Sequence, residues 1–292
     1  MTNEQLEQAA SGLMLALDTS TSSMTVALLR QGKQIAQVNS RAERNHSIHL
    51  LPAVQKLIRE QGYRSSDLES VAVGNGPGSY TGVRIAVTAA KTFSWSLDIP
   101  LVSVSSLEAL AFGANRECNE GDSPVLHEGN DGTRRMEEDC QTGETACKPE
   151  IRWLVPLVNG RRGQAFTSLF ATQKSLDWQR LEPDGIRLME NWVRDILVKA
   201  EQLAGSDREK ERKQAPTEVI FAGEVGLFDP MIENFKTSWK GTVRQIPHEM
   251  KAEDIGILAY GLLLEGETDN PYTLVPNYTQ LTEAEVKLMG KS

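Results

Sequence analysis

The stretch GNGPGSYTGVRIAVTAAK, residues 74–91, packs three glycines and a proline into five positions, continues as Ser-Tyr-Thr-Gly, and then becomes a run of small residues. Just before it, SVAVG (residues 70–74) reads as a short buried strand, and residues 81–97 read as a helix. A strand that ends in glycines and opens a helix gathers backbone N–H groups and the positive helix end at one point, which attracts anions. The loop lacks the lysine of a Walker loop and is not the dinucleotide fingerprint. Pro77 fixes one backbone angle, while Gly76 and Gly78 permit close approach or positive φ. Two readings stand side by side. In one the loop holds phosphate, with Gly76, Gly78, Ser79 and Thr81 as its candidate residues; in the other it is a tight turn that lets a small-residue helix pack closely.

Working outward, LMLALD (13–18) reads as a buried strand. SMTVALL (23–29) and KQIAQV (33–38) form a hairpin across RQG. Leu50, Leu51, Val54, Leu57 and Ile58 recur at helical spacing over residues 47–62, and residues 101–104 form a further strand. The pattern Ser105-x-x-Glu108 opens the next helix as a capping box. The first lobe, residues 13–112, therefore reads β-β-β-α-β-α-β-α, a mixed sheet covered by helices. That order is similar to the ribonuclease-H-like lobe of the actin, sugar-kinase and heat-shock ATPase superfamily, which speaks to fold and not to activity.

Residues 113–150 are rich in Gly, Asp, Glu, Asn and Thr and nearly devoid of apolar residues, so they read as a disordered insertion. Residues 1–12 read as a flexible tail. A second lobe spans residues 151–250. IRWLVPLV and GQAFTSLF are strands joined at Asn159-Gly160-Arg161-Arg162, and a helix is marked by Ile186, Leu188, Met189, Val193, Ile196 and Leu197. REKERKQ reads as a solvated loop. EVIFAG is a strand that feeds a second glycine-bearing turn, GEVGLFDP. Within residues 251–292 a last helix, 252–264, is expected to return to the first lobe, followed by a tail.

The net charge is −9, with ten acids and four bases between residues 113 and 150, so the remaining body is nearly balanced. That disfavours a stand-alone nucleic-acid binder. No apolar run is long enough to span a bilayer, and MTNEQLEQAASG lacks the layout of a signal peptide, so a cytoplasmic protein is expected. The three cysteines, Cys118, Cys140 and Cys147, argue against a disulfide framework, and none is expected in an ordered segment.

Asp18 ends the first strand and is followed by Thr-Ser-Thr-Ser-Ser. Asp18 with Ser20 either caps the turn through its own side chain or holds hydrated magnesium near phosphates. The capping role is favoured because no second carboxylate stands at a similar loop. His46 and His49 share a helix face, but a metal site needs further ligands, and only His127 and His248 remain. A hydrogen bond near the glycine loop suits His46 better. Arg161 and Arg162 read as an exposed basic turn or as a phosphate clamp. No G-x-S-x-G elbow is present.

LALDTSTSSMTVALL (15–29), HSIHLLP (46–52), the opening stretch and VSVSSLEALA resemble the TsaB family, in its order and at its spacing. The resemblance covers the first lobe and weakens in the second. There NGRRGQAF is similar to the family's DARRGEVY, and PNYTQLTEAE to its PxYLRxxEAE. Asn159 and Gln164 stand where that pattern has acidic residues. The 113–150 insertion is not typical of the family.

The resemblance implies an actin-like two-lobed fold with no catalytic or metal residues of its own. It implies a partner subunit of the complex that transfers threonylcarbamoyl to the adenosine next to the anticodon of tRNAs reading codons that begin with A. The catalytic relative, TsaD, carries a metal-binding H-x-x-x-H, a pattern this sequence lacks. TsaD is the implied heterodimer partner and TsaE, an ATPase, joins the assembly; a homodimer and tRNA contact through the complex also belong to this picture. No cofactor is expected for the chain alone, with ATP or ADP at a partner interface. Pairing through the helices of the first lobe makes His46, Leu50, Val54, Leu57, Ile58, Arg84, Ile85, Thr88 and Thr92 the candidate interface. Two other classes remain: a stand-alone sugar-kinase-like enzyme, motivated by the glycine loop and Asp18, and a metallopeptidase.

Overall fold

The computed structural model describes residues 3–41, 46–121, 151–173 and 178–279. The chain begins with α1 (Asn3–Ser11), β1 (Leu13–Asp18), β2 (Ser23–Arg30), β3 (Lys33–Arg41) and α2 (His46–Glu60). It continues through β4 (Leu68–Gly74), α3 (Tyr80–Leu97), β5 (Leu101–Val104) and α4 (Ser106–Gly121). The second half holds β6 (Ile151–Arg161), β7 (Gln164–Gln173), β8 (Gln179–Leu188), α5 (Met189–Ala204) and the single turn α6 (Glu209–Arg212). Then come β9 (Glu218–Gly223), α7 (Asp229–Ser238), β10 (Thr242–Pro247) and α8 (Ala252–Leu264).

The first sheet has the order β3-β2-β1-β4-β5, and the second β8-β7-β6-β9-β10. In each, three strands meander antiparallel and two more join parallel through crossovers. The two lobes thus repeat one topology, the ribonuclease-H-like plan of an actin-like fold, without a repeat in sequence.

β1 shows why its sequence does not alternate. All six residues are buried, because helices cover both faces of the sheet. Leu13, Leu15 and Leu17 pack with Leu50, Val54, Leu57 and Ile58 of α2 and Val83, Ala86 and Val87 of α3. Met14 and Ala16 face the other way, against Ala9 and Ala10 of α1 and Ile255, Ala259 and Leu263 of α8. The second sheet repeats the arrangement. Trp153, Val155 and Phe221 lie under α5 and α7, and Leu154, Phe170 and Ile220 under Ala111, Ala114 and Cys118 of α4. Each lobe therefore borrows a helix: α4 follows the first sheet but covers the second, and α8 follows the second but covers the first.

Several expectations change. Residues 3–11 are helical, with Ala9 and Ala10 buried against the core. α4 extends to Gly121 because Ala114 and Cys118 have a sheet to bury against, so the segment expected to be disordered starts with helix, and Cys118 is ordered. Residues 122–150, with His127, Cys140 and Cys147, lie outside the described residues. Ile186 and Leu188 belong to β8, and the helix begins only at Met189. α6 makes one turn of the charged loop helical.

Candidate functional site

Asp18 closes β1 with its side chain fully buried. Its Oδ1 accepts from the Ser20 N–H at 2.6 Å and the Ser20 hydroxyl at 2.7 Å, and its Oδ2 accepts from the Ser106 hydroxyl at 2.6 Å. Ser106 Oγ in turn accepts from the Gly76 N–H at 3.0 Å. Burial pushes the Asp18 carboxyl up to about 6, against the lowering effect of the hydrogen bonds from Ser106 and Ser20. Asp18 thus caps its own turn and ties it to the glycine loop and the start of α4. No described cluster of three or more His, Cys, Asp or Glu is placed to hold a metal ion.

The glycine loop directs its donors inward. Asn75 N–H donates to Val104 O at 2.8 Å and Ser79 N–H to Ser20 O at 2.7 Å. Ser79 caps α3 by accepting from the Gly82 N–H at 3.3 Å, and the Thr19 hydroxyl donates to Gly82 O at 2.6 Å. A Cβ at Gly78 would stand 2.3 Å from Ser20 O, and one at Gly82 1.9 Å from Thr19 O. These glycines allow the β1–β2 turn to lie directly on the head of α3.

A cleft of about 680 Å³ opens between the lobes, lined among others by Ser20, Ser79, Thr81, Asn159, Arg161 and Glu224. On the second-lobe wall Glu224 Oε2 accepts from the Asn159 N–H at 2.7 Å, and Asn159 Oδ1 accepts from the Arg161 N–H at 2.8 Å. Arg161 and Arg162 both adopt left-handed backbone, with φ of 66° and 52°, and are exposed, Arg161 on the wall of the cleft. The two lobes answer each other here. Each hairpin turn that faces the cleft has an N–H satisfied by a carboxylate of the protein itself, Asp18 on one side and Glu224 on the other. Sequence reading missed Glu224 because its partner lies 65 residues away.

The outer face of α2 and α3 is different in character. Leu50, Val54, Leu57 and Ile58 are at most 3 % exposed and sit in the lobe's own core, so they are not available to a partner. The helical stripe that stands out in sequence is the inward one. Exposed instead are Ile48 (64 %), Tyr80 (44 %) and Trp95 (65 %), which lie off that stripe, and Leu51 (49 %), which the sequence pattern places on it. Arg84, Thr88 and Thr92 are exposed and Ile85 half-buried along a groove of about 520 Å³ between the helices. His46 opens α2, its side chain outside the described residues, and His49 is exposed.

The chain's last described residues cross the head of this face. Asn277 N–H donates to Asn75 O at 2.9 Å, and Tyr278 accepts from Arg84 Nε at 2.7 Å through its hydroxyl. The Arg84 guanidinium lies 4.1 Å over the Tyr80 ring, whose centroid is 5.1 Å from that of Tyr278. The C-terminal segment therefore adds Tyr278 to the edge of the apolar face.

Residues 36–135 match the family model described as TsaD: tRNA N6-adenosine threonylcarbamoyltransferase. The chain is 32 % identical over 277 residues to the tRNA threonylcarbamoyladenosine biosynthesis protein TsaB of Bacillus subtilis (strain 168), covering 94 % of this chain and 96 % of that one. It is 37 % identical over 101 residues to the protein of the same name from Haemophilus influenzae, covering 35 % of this chain and 42 % of that one. Among solved structures, an uncharacterized Pseudomonas aeruginosa protein with similarity to peptidase YEAZ superposes with a TM-score of 0.64 at 22 % identity, covering 92 % of this chain and 100 % of that one. That likeness is one of fold.

Proposed function

Since the chain belongs to the TsaB family, we propose that it is the non-catalytic partner subunit of the machinery that attaches threonylcarbamoyl to the adenosine beside the anticodon of tRNA, and that it pairs with and activates TsaD. The observation that carries this reading is the exposed apolar face of α2 and α3, beside a cleft whose glycine loop turns the Asn75, Gly76 and Ser79 N–H groups into the protein. Such a face fits a partner of related fold better than it fits a small substrate. TsaE joins the assembly, tRNA is engaged by the complex, and without TsaD the chain pairs with itself through the same face. It carries no cofactor of its own, with ATP or ADP held at the partner interface, and it works in the cytoplasm; no described helix is long and apolar enough to cross a membrane.

A pull-down with TsaD and TsaE, followed by tRNA modification assays with and without this chain, tests the reading. Stable association and a modification rate that depends on the chain are expected. A chain that never associates with TsaD and whose omission leaves the rate unchanged would falsify it. The sugar-kinase alternative requires tight ATP binding by the isolated chain, which calorimetry with magnesium measures. A metallopeptidase requires a stoichiometric metal in the purified protein.

A further inference from the structure

Where α4 and α8 cross between the lobes, a group of ionisable side chains is packed around His248. The imidazole, 1 % exposed, has Nδ1 3.0 Å from Glu117 Oε2 on α4, and Nε2 3.9 Å from Asp254 Oδ2 on α8. Among the described residues neither Nε2 nor Oδ2 has a hydrogen-bond partner, and both are shut off from solvent. The other Asp254 oxygen is taken by Arg116 of α4 at 2.6 Å, and Arg116 also reaches Glu253 of α8 at 3.1 Å. Lys251, on the link into α8, pairs with Glu117. Gly113 of α4 makes the room: a Cβ there would lie 2.3 Å from Asp254 Oδ2 and 2.6 Å from His248 Nε2. Further out, Arg41 of β3 pairs with Glu249, and Glu224 is engaged by Asn159.

The hydrogen-bonding logic is restrictive. Partial burial would raise the Glu117 carboxyl, but Lys251 and His248 hold it below its usual range, so it is ionised and only accepts. Nδ1 must then carry the proton, and in a neutral ring Nε2 is a bare acceptor facing a carboxylate oxygen. Two buried acceptors cannot satisfy each other. Three carboxylates (Glu117, Glu253, Asp254) also face two permanent cations (Arg116, Lys251), so the cluster balances only when it takes up one further proton.

We propose that the facing pair His248 Nε2 and Asp254 Oδ2 holds one proton between them, that this proton closes the chain Glu117–His248–Asp254–Arg116 by which the link into α8 and α8 itself are held on α4, and that pH therefore sets how firmly the two lobes are seated on each other. Burial supports this by raising Asp254 to about 6 and lowering His248, so the pair loses its proton as pH rises through about 6 rather than in the ordinary carboxylate range.

The test is ¹⁵N NMR of the histidine rings in the full chain from pH 5 to 8, with the His248→Gln variant identifying the His248 signals among the four histidines. Nε2 is expected to move from a proton-bound to a bare nitrogen across that range. Asp254→Asn supplies a permanent donor to Nε2 while its oxygen still accepts from Arg116. Its Tm should exceed that of the wild type by a margin that widens by several degrees from pH 5.5 to 8. Groups common to both proteins, Asp18 included, cancel in that comparison. An Nε2 signal that does not change over this range overturns the proposal, as do parallel Tm curves. If Asp254→Asn does not fold, the wild-type ring signal alone decides.

Discussion

Asp18 and Glu224 are the two residues at which the cleft is most open to manipulation. With its folded pKa raised to about 6 by burial, Asp18 contributes stability that is fully present below its unfolded value and lost as pH rises through about 6. A shift of that size corresponds to about 3 kcal/mol. Asp18→Asn should therefore flatten much of the fall in urea-unfolding free energy between pH 4 and 8; an unaltered pH profile would show that the burial cost is met in another way. Glu224 acts as a resident anion on the Asn159 N–H. Glu224→Ala frees that donor beside Arg161, and inorganic phosphate should bind in the cleft about tenfold tighter, a gain of about 1.4 kcal/mol. Chemical-shift titration reads this directly, and equal affinity in the two proteins would mean that the turn is not an anion site even when vacated. The sequence made Asp18 legible because its capping partner Ser20 is two residues away. Ser106 and Glu224 were hidden because their partners are brought close only by the folded sheets.

At the level of elements, α2 presents two kinds of apolar residue, and each predicts a different phenotype. Leu50 lies in the core, and Leu50→Ala should cost about 2–5 kcal/mol in unfolding free energy. Ile48 and Leu51 are exposed, so Ile48→Asp with Leu51→Asp should leave Tm nearly unchanged while removing association with TsaD in pull-downs. Retained binding by that double variant would move the interface elsewhere. Periodicity finds the stripe a helix buries against its own sheet, and here it masked the outward face: Ile48 breaks the pattern, and Leu51 is counted in the stripe although it points away from the core. β8 was missed for a comparable reason. Its interior Pro183-Asp184-Gly185 reads as a turn, but β8 is an edge strand, where proline is tolerated, and its register against β7 shifts on both sides of Leu169. Strands β1 and β9 lie where their uninterrupted apolar runs put them, and β5 where the short LVSV run reads as a strand.

Across the whole molecule, the two lobes share a topology and exchange a helix, and that exchange governs how they come apart. Removing α8 would bare Met14, Ala16 and Leu29, and removing α4 would bare Leu154, Phe170 and Ile220. Heat or urea should therefore unfold both lobes in one transition, with circular dichroism and tryptophan fluorescence coinciding; two resolved steps would show that each lobe is self-sufficient. The strand-then-helix order of the first lobe was readable along the chain, whereas the ownership of α4 was not, because its small buried residues Ala111, Ala114 and Cys118 give no strong apolar stripe.

The exchange also bears on synthesis. The first sheet leaves the ribosome early, yet α8, the helix that closes its second face, lies near the far end of the chain. During translation that face is covered by α1 alone while the whole second lobe is made, for on the order of ten seconds or more at roughly 5–20 residues per second. The nascent protein is thus a natural client for chaperones, and its folding yield in the cell should depend more on elongation speed and on trigger-type holding activity than the stability of the finished fold would suggest.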